Sequence, residues 1–167
     1  MGIRVVVAML VVLVGCDDDI DLSGTYEVSS SVGGEPCGND QPVTATPAFL
    51  KFYKQEFLGQ EFFAYDGCTD AAATDCINLG GLFNGFYEPN DTGWSGEQTF
   101  SFSGNSCTLG YTLQEATLIG KDLVVDSATY SEEAALEGDA CSVEAAKQRN
   151  TDMPCIQHAR IDAVKIE

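Results

Sequence analysis

Gln98-Thr99-Phe100-Ser101-Phe102-Ser103-Gly104-Asn105-Ser106-Cys107-Thr108-Leu109-Gly110-Tyr111 is the segment from which the fold class follows. On both sides of Gly104-Asn105, apolar residues alternate with small polar ones, and a period of two belongs to strands. Gly-Asn is a two-residue turn pair, so the segment is expected to be a tight hairpin. With those two residues as the loop, Ser103 faces Ser106, Phe102 faces Cys107, Phe100 faces Leu109 and Gln98 faces Tyr111. The apolar residues of both strands then share one face. A slip of one residue would destroy that agreement.

Outward from this hairpin the pattern continues. A second hairpin is expected to turn at Gly120-Lys121, between Tyr111–Ile119 and Asp122–Tyr130. Upstream, strands are expected over Gly24–Val32, Ala48–Phe57, Glu61–Asp66 and Leu82–Glu88. A turn at Gly59, a loop from Gly33 to Pro47, and Pro89-Asn90-Asp91-Thr92-Gly93 separate them. Ala140–Arg149 is rich in Ala, Glu, Lys and Gln, which suits a helix. Asp139 is its expected N-cap and Asn150 with Pro154 its stop. Ala159–Ile166 reads as a final strand. The expected fold is therefore mainly β: an antiparallel meander or β-barrel with one C-terminal helix before the last strand.

The chain has 167 residues, room for one full-sized domain, and a hydrophobic fraction of 44% excludes disorder on composition. With 26 acidic and 8 basic residues the formal charge is −18. That charge argues against nucleic acid and against adsorption to an anionic membrane.

Seven cysteines make an odd number, so one differs from the rest. Cys16 follows an unbroken apolar run, Val5 to Val14, preceded by Arg4. Ten apolar residues as a helix cover about 15 Å, half a bilayer core, so the run reads as a signal-peptide core. Its end, Leu13-Val14-Gly15-Cys16, resembles the lipobox of bacterial lipoproteins. The resemblance implies that residues 1–15 are a cleaved leader and that Cys16 carries a diacylglycerol. Two or three acyl chains would then hold the protein at a membrane. Loss of Arg4 would take the formal charge to −19. Residues 16–22 are expected to be an acidic tether, and residues 23–167 a single β-rich domain. The expected location is the bacterial envelope, with the outer membrane or cell surface favoured and the inner membrane kept open by Asp17. An EF-hand reading of Asp17, Asp19 and Asp21 fails, because Leu22 and Val28 occupy the glycine and glutamate positions.

Cys37, Cys68, Cys76, Cys107, Cys141 and Cys155 remain, an even set that reads as three disulfides in an oxidising compartment. Cys68–Cys76 closes a short loop. Cys141–Cys155 is the expected pair across the helix, which leaves Cys37–Cys107. No C-x-x-C spacing and one His argue against zinc.

Asp21-Leu22-Ser23-Gly24-Thr25-Tyr26 is similar to the opening of lipocalin-type barrels, where Gly-x-Trp begins the first strand; here Tyr26 stands in the Trp position. The resemblance implies a lipocalin-like barrel carrying a small apolar ligand. An interior filled by Phe49, Phe52, Phe63, Phe83, Phe100 and Phe102 would count against a hollow carrier.

Residues that carry chemistry are sparse. His158 is the only His, and no Gly-x-Ser-x-Gly nucleophile motif is present. Gly80-Gly81 lacks the Lys and Ser of a phosphate loop. Adjacent acids such as Glu132-Glu133 are what a chain this acidic provides by composition. Asp66, Asp70 and Asp75 surround Cys68–Cys76 and pose a calcium question, with a solvated loop as the plainer reading. Trp94 and Tyr26 are the candidate contacts for a ligand or partner, unless Trp94 folds back over the open end of the barrel. The expectation is a non-enzymatic interaction or structural module, without cofactor or metal, that meets a membrane through Cys16 and binds an envelope protein. The alternatives are the carrier of a small apolar ligand and a carboxylate-based hydrolase.

Overall fold

A computed structural model describes residues 19–44, 47–79, 85–136 and 138–166. Within them lies one ten-stranded antiparallel sheet. Its strands are β1 (Gly24–Gly34), β2 (Gln41–Pro42), β3 (Phe49–Phe57), β4 (Gln60–Cys68), β5 (Cys76–Asn78), β6 (Glu88–Asn90), β7 (Gly93–Ser103), β8 (Cys107–Ile119), β9 (Asp122–Ala134) and β10 (Cys155–Lys165). The spatial order is β5-β4-β3-β1-β10-β9-β8-β7-β6, with β2 paired on β1. The last strand thus inserts beside the first, and every neighbour is antiparallel. The expected mainly β class is found. The barrel is not: the sheet is not closed. Between its two outer regions the described residues carry one isolated bridge, Phe63 to Phe86, instead of a ladder.

Two local turns follow from their residues. Phe57 pairs with Gln60, and Leu58 and Gly59 both take positive φ, 53° and 84°, as a type I′ hairpin requires. Ile119 pairs with Asp122 around Gly120-Lys121, with Gly120 at φ +66°. That second hairpin has the expected register.

The Gly104-Asn105 hairpin does not. Ser103 pairs with Cys107, Phe102 with Thr108 and Phe100 with Gly110, so the loop is Gly104-Asn105-Ser106. Gly104 lacks the positive φ of a two-residue primed turn. The slip places Cys107, Leu109 and Tyr111 on the inner face and Phe100 and Phe102 on the outer one. The cause is tertiary. Helix α1 (Val143–Arg149) packs on β7 and β8, and Ala146 and Met153 form a cluster with Cys107, Leu109 and Tyr111. Phe100 covers Gly110 on the outer face, where a Cβ on Gly110 would meet its ring at 2.0 Å.

The helix is shorter than expected. Ser142, not Asp139, is the N-cap: its Oγ accepts from the Ala145 N–H at 3.1 Å, while Asp139 lies in a preceding 3-10 turn. Asn150 ends it at φ +37°, as expected. The final strand begins four residues early, at Cys155. Gln41–Pro42 forms a short strand inside the expected loop. Of the expected strand Leu82–Glu88, residues 82–84 lie outside the described residues, Phe83 among them.

The main core gathers at the end of the sheet where β1 begins. Tyr26, Phe52, Phe63, Phe86 and Trp94 are buried there with Leu22, Leu50 and Leu123. Phe63 meets Trp94 edge-on at 5.1 Å, Tyr26 meets Phe52 edge-on at 5.7 Å, and Phe52 stacks on Phe86 at 5.9 Å. These separations are those of contacting rings, so the middle of the curled sheet is occupied by aromatics. Phe100 and Phe102, expected on one face with Cys107 and Leu109, are on the opposite, outer face, and Phe102 is 70% exposed.

Candidate functional site

All six cysteines among the described residues are paired, as Cys37–Cys155, Cys68–Cys76 and Cys107–Cys141. Cys68–Cys76 is the expected pair; the other two are exchanged relative to expectation. The reason lies in strand order. The chain leaves α1 for β10, which runs beside β1, so Cys155 meets the loop that follows β1. Cys141 arrives with α1 on β8, where Cys107 begins the strand. Cys16 lies outside the described residues.

The six partners share a location. Cys68 ends β4 and Cys76 begins β5; Cys155 begins β10 and Cys37 follows β1; Cys107 begins β8 and Cys141 precedes α1. Antiparallel alternation puts all of these at one end of the sheet, opposite the β3–β4 and β8–β9 turns.

His158 sits at the same disulfide-bearing end, opposite Gly34 in the β1–β10 ladder. Its Nδ1 lies 2.9 Å from Asp40 Oδ2, and its Nε2 lies 3.2 Å from Asp126 Oδ1 on β9. The hydrogen bond to Asp40 leads in raising the imidazole pKa above its ordinary value, and Asp126 adds to it. A ring held by carboxylates on both nitrogens favours the imidazolium, which donates twice. It ties the Asp40 loop, β10 and β9 together. An imidazolium so held has no free lone pair with which to act as a general base.

The acidic loop at Cys68–Cys76 consumes its own carboxylates. Asp70 accepts from the Thr74 N–H, the Thr74 hydroxyl and the Asp75 N–H, at 3.2, 2.9 and 3.0 Å. Asp75 accepts from the Thr69 hydroxyl at 2.9 Å. Asp66 faces elsewhere and accepts from Tyr53 at 3.0 Å and Asn78 at 2.9 Å. The Thr74 hydroxyl and N–H lead in lowering the Asp70 carboxyl below its ordinary value. Among the described residues no group of three His, Cys, Asp or Glu is arranged to hold a metal ion. Glu132 pairs with Arg149 of the helix.

Trp94 and Tyr26 are both buried. The Trp94 Nε1–H donates to the Ile20 carbonyl at 2.7 Å, and the Tyr26 hydroxyl donates to the Leu22 carbonyl at the same distance. Burial pushes the Tyr26 phenol up to about 12. Neither ring presents a face for a ligand. Each instead fixes the segment that enters β1, and Leu22 is itself fully buried. The expected tether over residues 16–22 is therefore folded onto the domain at Ile20 and Leu22. That role was not legible in sequence, because Ile20 and Trp94 are 74 residues apart.

A groove of about 430 Å³ lies along β1, lined by Val28, Ser30, Val32, Pro42, Val43 and Ala48 among others. The described residues of its wall include no titratable side chain. A second groove, about 380 Å³, lies beside α1 with Asp139, Ser142 and Glu144.

Compared with protein-family models, with curated proteins and with solved structures, the chain matches none.

Proposed function

We propose that the chain is a lipid-anchored protein of a bacterial envelope, held at the outer membrane or cell surface through Cys16. Its folded domain acts there as a non-enzymatic interaction or structural module. The pairing of the other six cysteines carries this reading. Disulfides persist in oxidising, extracytoplasmic compartments, and the pairing leaves Cys16 as the odd residue in Leu13-Val14-Gly15-Cys16. The carboxylates on both nitrogens of His158 support the absence of base catalysis. The packed rings around Phe52 give the carrier alternative no support, and the internally bonded Asp66, Asp70 and Asp75 give the hydrolase alternative none.

The test is fractionation of cells that produce the full chain or its Cys16→Ser variant. The wild-type protein should sediment with membranes and partition into detergent, and the variant should be soluble. Equal membrane association of both would overturn the anchor.

A further inference from the structure

We propose that the end of the sheet where β1 begins rests on a lipid bilayer, with the apolar tips of its turns inserted among the headgroups. The proposal rests on lipidation of Cys16. Antiparallel pairing gathers at this end the start of β1, the end of β10, the β3–β4 turn and the β8–β9 turn.

The chain is fixed here before β1 starts, through the Trp94 bond to Ile20 and the burial of Leu22. Only Asp17, Asp18 and Asp19 separate Cys16 from Ile20. At about 3.6 Å per residue, the lipidated residue lies within about 14 Å of Ile20. A folded domain does not fit between this end and the membrane, since even a 100-residue one has a radius of gyration of about 13 Å. With the anchor this near, lipid is the partner within reach of this end.

The end is built unusually for a surface in water. Leu58 is 92% exposed at the tip of the β3–β4 hairpin, and it holds φ +53°. That left-handed conformation suits Gly or Asn and strains a Leu. Phe57 beside it is 46% exposed, and Ile119, at the β8–β9 turn, is 68% exposed. Val164 and Ile166 add exposed apolar surface at the end of β10. A position that costs backbone strain and exposes a Leu gains only if the side chain leaves water.

Lys54, Lys121 and Lys165 lie at this end, with Asp21, Glu56, Glu61, Asp122 and Asp91 of the β6–β7 turn, and Asp17 to Asp19 adjoin it in the sequence. Acids outnumber lysines here, so charge does not draw this end to a membrane, and contact with neutral headgroups depends on apolar insertion. The lysine stems can lie along the interface with their ammonium groups among headgroups.

The test uses the lipidated protein in phosphatidylcholine vesicles whose acyl chains carry bromine, a quencher of tryptophan emission. Leu58→Trp and Ile119→Trp each add one indole over the buried Trp94 background, and Phe102→Trp adds one at the opposite end. Sedimentation reads the anchor, and quenching reads the insertion. The expected result is quenching of at least half the added emission for Leu58→Trp and Ile119→Trp, unchanged in 0.5 M salt, and none for Phe102→Trp. Ile119→Trp covers the case in which the larger side chain at Leu58 disturbs the turn. Protein that sediments without quenching at either tip overturns this inference alone and makes the end a surface for another partner. Protein that does not sediment overturns the anchor and this inference with it.

Discussion

The two ends of the sheet are held by different physics. At the end where β1 starts, Tyr26, Phe52, Phe63, Phe86 and Trp94 pack ring on ring, and among the described residues no disulfide is found there. At the other end the apolar cluster is smaller, built on Leu109, Tyr111, Ala146 and Met153. That end carries all three disulfides and the His158 clamp. Burial scales with apolar area and ignores redox state and pH, whereas a disulfide responds to the first and an imidazolium to the second. The difference therefore predicts one end indifferent to redox state and pH and one that depends on an oxidising compartment.

The largest effect should come from the aromatic end. Phe52→Ala should cost about 3–5 kcal/mol, because Phe52 touches Tyr26, Tyr65 and Phe86. Denaturant unfolding checks this; a loss under 1 kcal/mol would mean that the rings do not form the core.

Next, replacing Cys107 and Cys141 together by Ala should cost about 2–4 kcal/mol. Hydrogen exchange should accelerate first in α1 and the adjoining part of β8, while amides around Tyr26 and Leu50 stay protected. Uniform acceleration through the whole sheet would erase the proposed division between the ends.

Leu58→Asn should act in the opposite direction, adding about 1 kcal/mol of stability by relieving the left-handed strain. The change should appear in thermal melts of the detergent-solubilised protein. A destabilised variant would mean that Leu58 is needed for the fold, not for a surface outside it.

His158 should give the smallest effect, because its carboxylate partners are about one-third exposed and solvent screens them. Its pKa is raised in the folded protein, so its stabilisation is complete below about pH 6.5, the ordinary imidazole value. The contribution is lost as pH rises through the folded value. As pH rises from about 6.5 through the raised folded value, the wild type should lose its advantage over His158→Gln; parallel pH profiles for the two would show that the clamp does not stabilise the fold.

Sequence and structure agree where the cause is local. Gly120-Lys121 is a turn because of its own residues, and the strands beside it take their expected register. Gly104-Asn105 has similar local chemistry but is overruled from a distance, because α1 must lie on Cys107, Leu109 and Tyr111. The same distance hid the Cys37–Cys155 pair, 118 residues apart, and the Asp40 partner of His158, also 118 away. Only strand order brings those residues together, and alternation along one strand does not encode the neighbour two connections away. Trp94 looked available for a ligand because Thr92, Gly93, Ser95 and Gly96 flank it. Its indole instead satisfies the backbone at Ile20, a contact that no local pattern announces.

The central claim is that one cysteine is an address and six are staples. Mass spectrometry of the mature protein from native membranes, digested without reduction, tests it most directly. The account predicts peptides linked as Cys37–Cys155, Cys68–Cys76 and Cys107–Cys141, and an N-terminal peptide beginning at Cys16 that carries acyl chains. An unmodified Cys16, or a Cys16 joined to any of the six, would contradict it.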